Sequence, residues 1–194
     1  YSMTITSTIL PIYFKMVAEN GGMSSSNSTA LWGYTISIST LFVSLIAPVL
    51  GTIADYKGYK KKFFKFFCGI GIFATIMLAL VPADMPMLLL VTYGFTVLGF
   101  SGANVFYDSF LVDATSTERM DKVSSAGFAL GYIGSTIPFI ISIVIVMLTQ
   151  NGILGISISL ACKIAFLITA LWWGSFTIPL LKNVNQKYYI EKEP

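Results

Sequence analysis

Long apolar runs separated by short polar breaks dominate the chain. Each run comes close to, or exceeds, the roughly 20 apolar residues that a helix needs to cross a bilayer core, the first run being short. The runs are apolar nearly all round, which is typical of helices in lipid, and they lack the alternation of a membrane β-barrel. The pattern predicts an all-α membrane protein whose domain, 1–180, has six transmembrane helices followed by a tail, 181–194. The predicted spans are 1–18, 30–54, 63–82, 86–112, 123–149 and 153–180.

Composition supports a membrane protein and narrows its chemistry. Hydrophobic residues make up 55% of the 194 residues and charged residues 11%, whereas soluble domains carry about 25% charged residues. The chain has no histidine, the commonest general base at neutral pH and the commonest metal ligand. Cys68 and Cys162 both lie in apolar runs, where a buried thiol acts as a small hydrophobe. We therefore expect no enzyme activity, metal, cofactor or nucleic-acid partner.

Basic residues are distributed unevenly between the two predicted sides of the membrane. Ten of the twelve lysines and arginines lie in the segments 57–65, 119–122 and 182–192, which the six spans place on one side. The exceptions are Lys15 and Lys163, and we interpret Lys163 as a snorkelling or interface lysine. By the positive-inside rule, the N- and C-termini are both expected in the cytoplasm.

The loop between the second and third spans carries a recognisable motif. Gly51 is followed four residues later by Asp55, three residues after that by Gly58, and then by basic residues. This arrangement resembles the loop signature of the major facilitator superfamily. We expect Gly51 to allow a close helix crossing and Gly58 to supply a tight turn. Asp55 would face the negative end of its helix dipole, which is unfavourable unless a cation compensates it. We expect that cation among Lys60, Lys61 and Arg119, forming a latch between conformations; the alternative is a basic loop that only sets topology.

Further segments of the sequence narrow the resemblance to one branch of this superfamily. Residues 10–14, 54–58, 104–111 and 125–134 are similar to the bacterial "unknown major facilitator type one" family, related to the fungal vacuolar amino-acid effluxers of autophagy. The resemblance covers nearly the whole chain but only the N-terminal half of such a transporter. It implies one major-facilitator half built from two inverted three-helix repeats. Asp108 stands where we expect asparagine in that family.

Polar residues within the spans are the candidates for binding the substrate or coupling transport to ions. An ionisable group inside the bilayer costs free energy, so its presence there indicates a function. Asn104 and Asp108 are four residues apart and share one helix face. Asp108 either couples transport to protons or pairs structurally with Lys122 or Arg119. The resemblance favours the pore, since the first and fourth helices of a facilitator half line the cavity. The further candidates are Tyr107 and the first-helix hydroxyls of Thr4, Ser7 and Thr8.

Glycines within the spans predict close helix contacts. Gly99 and Gly102 flank Phe100 and Ser101; without histidine, this sequence cannot supply the serine nucleophile of a rhomboid-type protease. Small residues that let two helices approach are the better interpretation. The predicted packing face of the fifth span consists of Gly127, Gly131 and Gly134.

These observations favour a secondary-active half-transporter that moves a small polar solute by alternating access. We expect it to work as a homodimer or with a second six-helix half, in a bacterial plasma membrane. The alternative function is a non-transporting six-helix scaffold or a regulatory half-transporter. The proton gradient or the solute's own gradient would drive transport.

Overall fold

Helices make up almost all of the computed structural model, which describes residues 2–191, with side chains from residue 8 onward. Within that part, the β pairing is a single parallel bridge between Tyr56 and Ile190. The helices are α1 (Ser2–Asn20), α2 (Ser25–Ala54), α3 (Tyr59–Leu80), α4 (Pro86–Ser109), α5 (Leu111–Ala114), α6 (Met120–Gln150) and α7 (Ile158–Asn183), with a 3-10 turn at Thr117–Arg119.

Five of these helices, α2, α3, α4, α6 and α7, are long and apolar enough to cross a membrane. The prediction of an all-helical membrane protein is therefore confirmed. Helix α1 is not among the five, because Lys15, Glu19 and a run of hydroxyl residues lower its hydropathy. The count of six spans remains a prediction.

The fourth span ends earlier than predicted. Helix α4 stops at Ser109, whose hydroxyl donates a hydrogen bond to the Phe106 carbonyl at 2.7 Å. The backbone N–H of Phe110 bonds to the Tyr107 carbonyl at 3.1 Å, which tightens the last turn before the short helix α5. Asp108 is therefore one residue from the end of its helix.

The seventh helix begins later than the predicted start at residue 153. Gly152 and Gly155 adopt φ values of 73° and 62°, in the left-handed region that interrupts a helix. Helix α7 then begins after Ser157, whose side chain accepts a hydrogen bond from the N–H of Leu160 at 3.2 Å. The apolar residues just before Ile158 therefore form a loop.

Glycines bring α3 and α4 into direct backbone contact. A Cβ atom on Gly99 would overlap the backbone of Gly71, and one on Gly102 would overlap the ring of Phe67. The interpretation of this segment as a close helix contact is confirmed. This contact joins two apolar clusters, one around α1 and the other around the phenylalanines at the start of α3 and the end of α4.

Burial differs strongly among the spans. Half of the residues in the most apolar 18-residue stretch of α4 are buried inside the protein, compared with 11% in the corresponding stretches of α2 and α6. Large apolar side chains such as Leu45 and Ile133 project outward from these two helices, with 68% and 64% of their surface exposed. Helices α2 and α6 thus offer their apolar surface to lipid or to another membrane segment.

Candidate functional site

Two of the basic segments, 57–65 and 182–192, meet at one end of the helix bundle, which we call the basic end. The N–H of Ile190 donates to the Asp55 carbonyl at 2.8 Å, and the N–H of Lys57 donates to the Ile190 carbonyl at 3.4 Å. Gln186 strengthens this contact, donating to the Ala54 carbonyl at 3.0 Å and accepting from the N–H of Gly58 at 2.9 Å. The segment after α7 is therefore fixed against the loop between α2 and α3.

A buried ion pair lies beneath this contact. The Nζ atom of Lys60 is 2.8 Å from Oδ2 of Asp113, and 5% and 0% of the two side chains are exposed. Lys60 also donates to the Ser109 carbonyl at 3.2 Å, and Asp113 Oδ1 accepts from the backbone N–H groups of Lys187 at 2.8 Å and Tyr188 at 3.1 Å. We call Lys60, Asp113 and the segment 184–190 the clamp.

The hydrogen bonds of the clamp keep Asp113 charged. Burial by itself would raise the pKa of this carboxyl, because it removes the charged form from water. The hydrogen bonds from Lys60, Tyr188 and Lys187, together with the Lys60 charge, outweigh burial and hold the pKa below its ordinary value. The pair satisfies the usual condition for charges out of water, which is mutual pairing with extra hydrogen bonds.

The predicted pairing of Asp55 with a cation is absent from the ion pairs of the described residues, and a latch that forms in another conformation stays a prediction. The Asp55 side chain is exposed and makes no ion pair within residues 2–191, while Lys60 is engaged by Asp113. Gly58 has a φ of 79° and makes the expected tight turn, after which Lys60 in the first turn of α3 is directed to the end of α4. The other proposed cations do not pair with Asp55 either: Lys61 donates to Asn185 at 3.0 Å, and Arg119 is exposed.

Gly51 does not make the close helix crossing that was expected of it. It lies in the last turn of α2, and a Cβ atom built there meets nothing within 4 Å. Sequence reasoning also missed Asp113, which directly follows the predicted end of the fourth span at residue 112. The residue that completes the clamp is thus one that carried no motif.

A cavity of about 530 Å³ opens between α3, α4, α6 and α7 towards the same end. Its wall is largely aromatic and apolar, and the polar side chains that reach it are Asn104, Tyr107, Ser135 and Thr177. We call it the aromatic cavity. Its remaining wall includes Phe64, Phe100, Trp172, Trp173 and Phe176.

The cavity brings together only part of the predicted substrate site. Asn104 and Tyr107 line it, whereas Asp108 is exposed at the end of α4 and is outside the lining. Thr8 is half-buried on α1, away from the cavity, and the side chains of Thr4 and Ser7 lie outside the described part of the chain. The expectation that the first helix lines the cavity is not met by the described residues.

The polar groups on the wall differ in their hydrogen bonding. Ser135 donates to the Tyr132 carbonyl at 2.8 Å, and Thr177 donates to the Trp173 carbonyl at 2.8 Å, so both hydroxyls are satisfied within their own helices. Asn104 makes no side-chain hydrogen bond to another described residue, and the same holds for the Tyr107 hydroxyl. These two groups are free to bind water or a polar solute.

The glycines of α6 form one wall of the aromatic cavity. A Cβ atom built on Gly127, Gly131 or Gly134 meets no atom within 4 Å, and α6 packs mainly against α7. Within the described chain they are therefore not the helix contact that was predicted. They leave space instead, since a side chain at any of them would enter the cavity.

Comparison with known proteins assigns the chain to a family. The sequence profile described as "Vacuole effluxer Atg22 like" matches residues 15–189. The chain belongs to the vacuole effluxer Atg22-like family. It is also 54% identical over all 194 residues to the "Uncharacterized MFS-type transporter YxiO" of Bacillus subtilis (strain 168), and spans 45% of that relative's length. No solved structure matches the chain. The resemblance to a major-facilitator family is confirmed, and the chain is an integral membrane protein.

Proposed function

We propose that the chain is one half of a secondary transporter, moving a small polar solute by alternating access in a bacterial plasma membrane. Membership of the Atg22-like family and the likeness to an MFS-type transporter support transport across a membrane. In such a half, six spans form two inverted three-helix repeats. The basic end faces the cytoplasm, since lysines and arginines concentrate there.

The observation that carries the proposal is the polar pair on the wall of the aromatic cavity. Asn104 offers a carboxamide and Tyr107 a phenol, and neither is satisfied by another described residue. Ligand sites commonly combine an apolar, aromatic wall with a few polar groups that fix orientation. A small solute with an apolar part and hydrogen-bonding groups fits this wall.

A second half is the partner that the comparisons favour over a homodimer, because the relative is about twice as long as this chain. Some hydroxyls on the exposed helices are already bonded within their own helix and give no reason for a partner. Ser44 donates to Thr40 at 2.9 Å and Thr136 to Tyr132 at 2.9 Å, so both are satisfied in lipid. The side chain of Asn104 is not bonded in that way to any described residue, and a second half would enclose a water-filled pathway over it.

The clamp gives the half the stiffness that alternating access requires. It joins the start of α3, the turn after α4 and the segment after α7 through Lys60, Asp113 and Gln186. Alternating access is largely rocking of one bundle against another around a fixed site. In this proposal the clamp does not break during the cycle, and the half moves as one body.

The test is solute uptake by proteoliposomes under an imposed proton gradient. One sample contains the chain alone, and another contains it with the remaining segment of the Bacillus subtilis relative, each assayed against a panel of amino acids and other small polar solutes. Uptake only with the added segment supports the proposal. Uptake by the chain alone supports transport but favours the homodimer, and no uptake in either sample favours the scaffold.

The role of the cavity wall in binding the solute is tested with Asn104→Ala and Tyr107→Phe, assayed in whichever sample shows uptake. Each substitution removes hydrogen-bonding groups while leaving the helix intact, so we expect the KM to rise about tenfold or more. Ser135→Ala is the matched control, because that hydroxyl is already bonded within its helix. If all three variants keep the KM of the unsubstituted protein, the solute binds elsewhere.

A further inference from the structure

A second pocket lies at the basic end, and it shares part of the segment 184–190 with the clamp. It measures about 640 Å³ and is bounded by the loop before α3, the first turns of α3, the end of α7 and the segment after it. Its charged side chains are all cations: Lys57, Lys61, Lys62 and Lys65. We call it the lysine pocket.

None of these four lysines forms an ion pair with a carboxylate of the described residues. The ion pairs among described residues are Lys15–Glu19 and Lys60–Asp113, and neither includes a lysine of this pocket. Four like charges around one opening repel each other, and a bound anion relieves that repulsion. The arrangement therefore favours the binding of an anion.

Neutral partners hold the ammonium groups in place without removing their charge. Lys57 lies over the Tyr189 ring, with 5.0 Å from Nζ to the ring centroid, and Lys62 lies over the Tyr59 ring at 5.0 Å. The Nζ atom of Lys61 donates to the Asn185 side chain at 3.0 Å. Three of the four cations are thus positioned in advance, whereas a loop that only set topology would need charge and no fixed geometry.

We infer that the lysine pocket binds a phosphate group, supplied by the headgroup of an anionic phospholipid. The pocket lies where α3 begins and α7 ends, at the level where membrane-spanning segments leave the hydrocarbon core. Leu181 adds an apolar surface to the pocket. Basic pockets between transmembrane helices on the cytoplasmic side bind phosphate headgroups, and lysine is a point-charge ligand for phosphate.

The experiment measures thermal unfolding of the full chain in neutral detergent, with phosphatidylglycerol, phosphatidylcholine or inorganic phosphate added in separate titrations. The test variant carries Lys→Gln at positions 57, 61, 62 and 65. A second variant carries Lys→Arg at the same positions and keeps the charge. The matched control removes four charges outside the pocket: Lys15→Gln, Arg119→Gln, Lys122→Gln and Lys163→Gln.

We expect phosphatidylglycerol, but not phosphatidylcholine, to raise the unfolding temperature of the wild-type, arginine and control proteins. The apparent affinity should fall about fivefold for each pocket lysine removed, and added salt should weaken it. Stabilisation by inorganic phosphate alone, lost in the glutamine variant, would keep the phosphate site but assign a soluble anion to it. The inference is overturned if the glutamine variant and the control respond equally to phosphatidylglycerol.

Discussion

Lys60 and Asp113 form an ion pair of 2.8 Å between side chains that are 53 residues apart in sequence and almost fully out of water. The pair joins the first turn of α3 to the short helix that follows α4. Asp113 binds the segment after α7 as well, through the N–H groups of Lys187 and Tyr188. One carboxylate thus connects three parts of the chain that approach each other only in the folded protein.

Lys60→Met should therefore destabilise the chain strongly. The substitution leaves the Asp113 charge buried with two backbone donors but no cation, and breaking a buried pair in this way costs about 3–5 kcal/mol. The measurement is the free energy of unfolding in mixed micelles. Lys61→Met is the matched control, since Lys61 is only partly buried and its bond is to a neutral amide, so about 1 kcal/mol or less is expected there.

A double-mutant cycle separates the pair from general effects of each substitution. Lys60→Met combined with Asp113→Asn should cost clearly less than the sum of the two single changes, because the second change removes the stranded charge. Strict additivity would contradict a direct interaction between the two side chains.

Acid should weaken the clamp. Because the folded-state pKa of Asp113 is lowered, its contribution to stability is complete above its ordinary pKa of 3.8 and is lost as the pH falls through the lower folded-state value. The difference in unfolding temperature between wild type and Asp113→Asn should be constant from pH 7 to about pH 5 and shrink below about pH 4. A difference that stays constant down to pH 3 would show that the carboxylate charge is not what stabilises the clamp.

The broad architecture could be predicted because a bilayer imposes simple requirements on sequence. Apolar runs of membrane length and short polar breaks locate the helices, and the turn at Gly58 was predictable from its motif. The clamp could not be found in this way. Asp113 lies in a stretch read as the end of a helix, and its role depends on the early stop at Ser109 and on partners more than 50 residues away.

The candidate site was predictable only in part for the same reason. Asn104 could be proposed because a carboxamide is conspicuous in an apolar helix. Which helices face it depends on how α6 packs, and α6 contacts mainly α7, so its glycines border a cavity. A glycine repeat in sequence indicates room near a backbone, and only the fold shows whether a helix or a cavity occupies that room.

Two glycine substitutions distinguish a glycine at a helix contact from a glycine beside a cavity. Gly99→Ala should destabilise the chain by about 1–3 kcal/mol, because the new methyl group overlaps the Gly71 backbone, which cannot move without separating α3 from α4. Gly131→Ala adds the same methyl group in open space and should be neutral, or stabilising by up to about 1 kcal/mol, since alanine is the better helix former. Unfolding in mixed micelles measures both, and equal effects would argue against the α3–α4 contact.

The last prediction concerns Asp108, which lies one turn beyond Asn104 on the same helix, is exposed, and makes no ion pair within the described residues. The expected pairing with Lys122 or Arg119 is therefore absent from this part of the chain, and proton coupling remains as the hypothesis. Asp108→Asn keeps the size of the side chain and most of its hydrogen bonds while removing titration. If Asp108 exchanges protons at the mouth of the pathway, proton-driven accumulation by the chain with its second half should vanish, while exchange of solute down its gradient continues. Asp121→Asn is the matched control, an exposed carboxylate in the first turn of α6. Accumulation by the Asp108 variant at the wild-type level would exclude this residue as the coupling group.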